Sequence, residues 1–149
     1  MDAILKTHST PDEQPLGLLR LRPAVAMVSY RVADIERSLR FYVGVLGMTE
    51  RARFPGFGPD ERELVLEYGG ARGAVLMLMW NVTRTLPYNP GDGYSRFTIL
   101  VDDVHAAFRH MVDHGTPVVL PVAEANGSRF AVVRDPDGYM IELLQLIDS

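Results

Sequence analysis

Val28-Ser29-Tyr30-Arg31-Val32-Ala33-Asp34-Ile35 returns further along the chain as Phe97-Thr98-Ile99-Leu100-Val101-Asp102-Asp103-Val104. Val32 matches Val101, Asp34 matches Asp103 and Ile35 matches Val104, all at an offset of 69 residues. In each copy a run rich in β-branched residues meets an aspartate able to cap the first turn of a helix, and apolar residues at helical spacing follow. These are Ile35, Leu39, Tyr42, Val43 and Leu46 in the first copy, and Val104, Ala107, Phe108 and Met111 in the second. Gly47 and Gly115 stand where the helices should stop, because glycine takes the left-handed backbone of a helix end without a steric penalty.

Strand-like runs follow the first helix over about 49–54, 62–68 and 74–80, and the second helix near 118, 129–134 and 139–146. A period this long, seen twice, is a duplicated module and not a solenoid. The expected fold is therefore α+β: two βαβββ modules, about 24–81 and 94–146, whose mostly antiparallel sheets form a cup around a cleft. Residues 1–22, polar and punctuated by proline, form an arm ahead of a single domain over 23–149. Side chains alternate across a strand, so one face covers the module's helix and the other is free to meet the partner module. Ala24, Ala26, Val28, Tyr30 and Val32 suit the helix side. Met27, Ser29 and Arg31 point the other way, and the offset makes Arg96, Thr98 and Leu100 their counterparts.

Composition narrows the function classes. Fifteen basic residues against nineteen acidic ones give a net charge of −4, without the basic stripe that a phosphate backbone requires, so no nucleic acid is expected as a partner. The absence of cysteine excludes a disulfide framework, a thiolate nucleophile and any zinc site built on Cys. No apolar stretch approaches the length of a membrane span and the start lacks a secretory leader pattern, so the expectation is a soluble, cytoplasmic protein with no membrane partner. His110 and His114 are four apart, but no Glu completes a zincin motif and both lie off the apolar stripe, which reads as a solvated helix face.

Three segments carry a resemblance: Val28 to Tyr42, then Val45-Leu46-Gly47-Met48, and later Asp135-Pro136-Asp137-Gly138-Tyr139-Met140-Ile141-Glu142-Leu143. Together they are similar to the vicinal oxygen chelate superfamily, which includes glyoxalase I, bleomycin-binding resistance proteins and extradiol dioxygenases. The resemblance covers about residues 24–146. It implies paired βαβββ modules around a small-molecule site, and a homodimer. In the metalloenzyme members, His or Glu ligands come from the first and last strand of each module. Those positions fall here on Met27, Met77, Arg96 and Glu142, and only Glu142 matches. A neutral thioether suits these metals poorly and a guanidinium cannot deprotonate to ligate one. No metal ligands and no cofactor are therefore expected, and an iron dioxygenase is not.

Two readings of different class stay open. In the first, a metal-independent protein similar to the bleomycin-resistance branch binds a small, largely apolar or aromatic anion in a Met-lined cleft. Met27, Met77, Met79 and Met140 would give a pliable apolar wall, with Ser29, Arg31, Asn81 and Thr98 as polar contacts. In the second, a metal-free lyase or isomerase similar to lactoylglutathione lyase uses Glu142 as general base and Arg96 to stabilise an oxyanion. Arg31 and Asn81 match positions where glyoxalase I enzymes contact the glutathione portion of their substrate.

Overall fold

The computed structural model describes residues 25–69 and 75–147; the arm expected over 1–22 lies outside them. Strand β1 (Met27–Arg31) leads into helix α1 (Ile35–Leu39), which continues as a π-helical stretch over Arg40–Val45. Strands β2 (Thr49–Pro55), β3 (Glu61–Glu67) and β4 (Val75–Asn81) complete the first module. The second consists of β5 (Arg96–Leu100), α2 (Val104–Asp113), β6 (Val118–Ala125), β7 (Ser128–Arg134) and β8 (Met140–Leu146). Each module is one four-stranded sheet, ordered β1-β4-β3-β2 and β5-β8-β7-β6. β1 runs parallel to β4 and β5 to β8, while the remaining pairs are antiparallel. The fold is the expected α+β pair of βαβββ modules.

The duplication extends to the helix caps. Asp34 accepts from the Arg37 amide at 3.1 Å and Asp103 from the Ala106 amide at 3.0 Å, each from extended backbone. Gly47 and Gly115 both sit at φ +71°, where a Cβ would be strained. The copies differ in the first helix, which widens to the i→i−5 pattern, with the Leu46 amide donating to the Phe41 carbonyl at 2.9 Å. The widened stretch carries Tyr42, which is fully buried and reaches the second module.

Helix-side residues of both sheets run into one core. Tyr30, Val32, Leu64 and Leu78 of the first module and Val104, Met111, Ile141 and Leu143 of the second belong to the same buried cluster, each side chain contributing about 1.5–3 kcal/mol of burial. Val28, expected on this side, is instead 41% exposed. Helix α1 begins beyond the end of β1, and burial is confined to the neighbouring end, at Tyr30 and Val32. Because the helix sides share a core, the opposite sheet faces point outward.

The Asp-Pro-Asp-Gly turn joins the modules. Asp135, 3% exposed, accepts from its own turn at the Asp137 and Tyr139 amides, at 2.9 and 2.8 Å, and from the Tyr42 hydroxyl at 2.7 Å. Tyr42 in turn hydrogen-bonds Tyr30. Asp137 accepts from the Ala33 amide at 3.0 Å and Arg37 Nη2 at 2.9 Å, both on Oδ1, beside the start of α1. Tyr139 donates its hydroxyl to the Arg31 carbonyl at 2.8 Å, its ring 4.3 Å from that of Tyr30.

Candidate functional site

On the first module's outer face the register runs in rows. Ser29, Met77 and Val65 form one row, and Arg31, Met79 and Glu63 the next, while Asn81 pairs with Glu61. Arg31 Nη1 donates to Glu61 Oε2 at 2.6 Å and Asn81 Nδ2 to Glu61 Oε1 at 3.4 Å. The Arg31 hydrogen bond holds the Glu61 carboxyl below its ordinary range, and the same contact raises the guanidinium further. Tyr88, from the linker between modules, lies under two cations, 4.1 Å from Arg84 and 5.9 Å from Arg31.

The second outer face repeats the geometry with different chemistry. Arg96, Met140 and Arg134 form one row, and Thr98, Glu142 and Val132 the next. Arg96 Nε donates to Glu142 Oε2 at 3.0 Å and the Thr98 hydroxyl to the same oxygen at 2.8 Å. The Glu142 side chain is 13% exposed and that of Arg96 44%. Met27 stands to Met77 on the diagonal that relates Arg96 to Glu142, two residues along the parallel strands. The positions singled out by resemblance thus occupy equivalent places in the two copies.

These faces are open to solvent. Met27 is 41% and Leu100 66% exposed, and Ser29, Arg96 and Thr98 are exposed too. The methionines are divided, with Met27, Met77 and Met79 on one module and Met140 on the other. The structure therefore brings Arg96, Thr98, Glu142 and Met140 together, and separately Ser29, Arg31, Met77, Met79 and Asn81. Among the described residues, no hydrogen bond or ion pair joins the two outer faces.

Sequence reading missed Glu61, Glu63 and Arg134. Glu61 and Arg134 sit at strand ends, and the face that all three take follows from the cross-strand register, Glu61 beside Asn81, Glu63 beside Met79 and Arg134 beside Met140. His110, read as part of a solvated face, is exposed and also bonds the Val45 carbonyl through Nε2 at 2.8 Å. Among the described residues, no helix is long and apolar enough to cross a membrane.

A pair of βαβββ modules joined by an Asp-Pro-Asp-Gly turn, each with an outward polar and methionine-bearing face, defines the class of protein. The model of the Glyoxalase/Bleomycin resistance protein/Dioxygenase superfamily matches residues 24–143, and the chain belongs to that family. It is 32% identical over 132 residues to the lactoylglutathione lyase of Salmonella typhimurium, covering 80% of this chain and 90% of that one. Among solved structures, the trypanothione-dependent glyoxalase I of Leishmania major superposes with a TM-score of 0.73 at 31% identity, covering 83% of this chain and 86% of the other. An antibiotic-binding protein from Streptomyces sp. CB03234 does so with a TM-score of 0.67 at 28% identity, over 83% and 96%.

Proposed function

We propose that this chain is a metal-independent binding protein of the glyoxalase-like family, holding a small, largely apolar or aromatic molecule with one anionic group in a methionine-lined cup. The observation that carries the reading is the Arg96 guanidinium seated on Glu142 at 3.0 Å, at positions where the family resemblance puts two metal ligands. A guanidinium keeps its protons, and thioethers at Met27 and Met77 are soft neutral donors ill matched to metals held by imidazole and carboxylate. The donor set does not fit a divalent cation. Unbranched, polarizable methionines instead adapt to an apolar ligand. The similar antibiotic-binding protein lends weight to binding without turnover.

The cup is completed by a second copy of the chain. The first module's outer face carries Arg31, Arg51, Glu61, Glu63 and Glu67, and the second module's carries Arg96, Arg134 and Glu142, so their net charges are opposite in sign. A twofold axis that sets the first face of one copy against the second face of the other closes two identical cups. The test combines light scattering, elemental analysis and thermal shift with aromatic acids. The expected results are a dimer mass, substoichiometric transition metal, and ligand stabilisation indifferent to a chelator. A stoichiometric metal whose removal abolishes binding overturns the reading.

A second reading rests on one detail of Glu142. Both donors, Arg96 and Thr98, use Oε2, which leaves Oε1 to take a substrate proton, with Arg96 beside the developing oxyanion. The similar lactoylglutathione lyase supports this lyase or isomerase activity. Glu142→Gln, nearly isosteric, should then end turnover while ligand still binds; turnover at the original rate sinks it.

A further inference from the structure

Arg31 on β1, Arg96 on β5 and Arg134 on β7 stand on the outer faces, as does Arg51 on the edge strand β2, paired with Glu67 at 3.2 Å. Register places Arg134, since it pairs with Met140 and Met140 pairs with Arg96. The two arginines therefore flank one methionine from strands about 10 Å apart. Their partners differ. Arg31 holds Glu61 at 2.6 Å and Arg96 holds Glu142 at 3.0 Å, so each already faces a carboxylate of its own chain. Arg134 donates Nη1 to the Gly138 carbonyl at 2.8 Å and has no ion-pair partner among the described residues. A neutral carbonyl orients a guanidinium without cancelling its charge, and four of its five N–H groups stay free for an incoming acceptor.

Arg134 also lines a cavity of about 500 Å³ with Met140, Tyr94, Ser95 and the Pro90–Asp92 linker. A ligand carboxylate arriving at Arg31 or Arg96 would have to share a guanidinium whose charge Glu61 or Glu142 already balances, and would meet the repulsion of that carboxylate. At Arg134 the positive charge is not shared with an ion-paired carboxylate among the described residues. Asp92 on the same cavity penalises each further negative charge on a ligand, so a dianion more than a monoanion, and a planar monoanion matches the guanidinium fork.

We propose that the anionic group of the ligand is a carboxylate read by Arg134, with the apolar body lying over Met140 toward the cup. This rests on the small-molecule reading above and specifies which residue sets its charge selectivity. Arg96 stays committed to Glu142.

The test is calorimetry on the full chain with 2-naphthoate, its uncharged amide and 2-naphthyl phosphate as probes. The unaltered protein should prefer acid to amide. Arg134→Gln should cut the acid's affinity by about tenfold or more, the scale of one charge-assisted contact, and leave the amide's affinity unchanged. Arg134→Lys should recover part of the loss, since it keeps the charge without the fork. Arg96→Gln should keep the preference. Because Arg134 is exposed, these variants should fold, which circular dichroism checks. A preference that survives Arg134→Gln, or vanishes with Arg96→Gln instead, overturns the assignment while the cup reading stands. Tighter binding of the phosphate than of the acid overturns the carboxylate. No binding of any probe to the unaltered protein overturns both.

Discussion

Replacing Asp137 with alanine should separate the modules energetically. The Asp137 side chain is 1% exposed and receives the Ala33 amide at 3.0 Å and Arg37 Nη2 at 2.9 Å. A hydrogen bond from a backbone amide to a charged, buried acceptor contributes about 1.5–3 kcal/mol. The Arg37 contact adds under about 1 kcal/mol, because that side chain is 43% exposed and solvent screens the pair. Ser38 Oγ, at 3.4 Å, is too distant to add much. Asp137→Ala should therefore cost about 3 kcal/mol, or a fall of about 6–12 °C in Tm for a chain of this size. Asp137→Asn keeps an acceptor on the Ala33 amide and loses mainly the charge, so it should cost about 1 kcal/mol. Urea unfolding followed by circular dichroism measures both. A loss below about 0.5 kcal/mol for Asp137→Ala, the range of ordinary surface changes, would refute the claim that this turn clamps the second module to the first helix.

Asp135 predicts a pH dependence. Burial pushes its carboxyl above the ordinary value of 3.8, with the Tyr42 hydroxyl pulling it partway back. The folded chain therefore keeps this proton at pH values where the unfolded chain has lost it. Stability from this group is highest below the unfolded value and declines as pH rises from there through the folded value. Asp135→Asn should remove that decline in urea midpoints measured from pH 3.5 to 7; an unchanged slope contradicts the assignment. The equivalent diagonals of the two copies predict a gain of function. The combined change Met27→His, Met77→Glu and Arg96→His, with Glu142 retained, should bind about one Ni²⁺ or Zn²⁺ per completed cup, read by elemental analysis after dialysis. Retention no greater than that of the unaltered chain would mean that these positions do not converge.

Much of this was legible because duplication supplies an internal ruler. The offset carries Asp34 onto Asp103, Met27 onto Arg96 and Ser29 onto Thr98. What stayed hidden depended on long-range packing. The π-helical stretch at Arg40–Val45 has no sequence signature, yet it carries Tyr42, whose hydroxyl reaches Asp135. Glu61 follows a proline- and glycine-rich loop, and its value as the partner of Arg31 emerges only when β3, β4 and β1 are aligned side by side. The sides on which two modules bury each other follow from the shared core. Each strand read alone allows two sheets facing across a cleft as readily as two sheets packed back to back.

Arg31–Glu61 and Arg96–Glu142 look like one device used twice, but the duplication did not copy it. The offset takes Arg31 to Leu100 and Arg96 to Met27, and Glu61 comes from the third strand of its sheet's order while Glu142 comes from the second. Each module thus supplies its own carboxylate for its own arginine. For Glu142 the reason is electrostatic: at 13% exposure a carboxylate is partly desolvated and needs a nearby positive charge or hydrogen-bond donors. If Arg96 serves as that compensation, removing it alone should hurt more than removing both partners. Arg96→Leu should destabilise by about 1 kcal/mol, discounted for the exposure of Arg96, since Glu142 is left with the Thr98 hydroxyl. Arg96→Leu with Glu142→Leu should return close to the original stability, because apolar replacement of both partners removes the desolvation penalty with the pair. A double-mutant cycle in urea separates these outcomes, and strictly additive losses would show that Arg96 and Glu142 are neighbours without being partners.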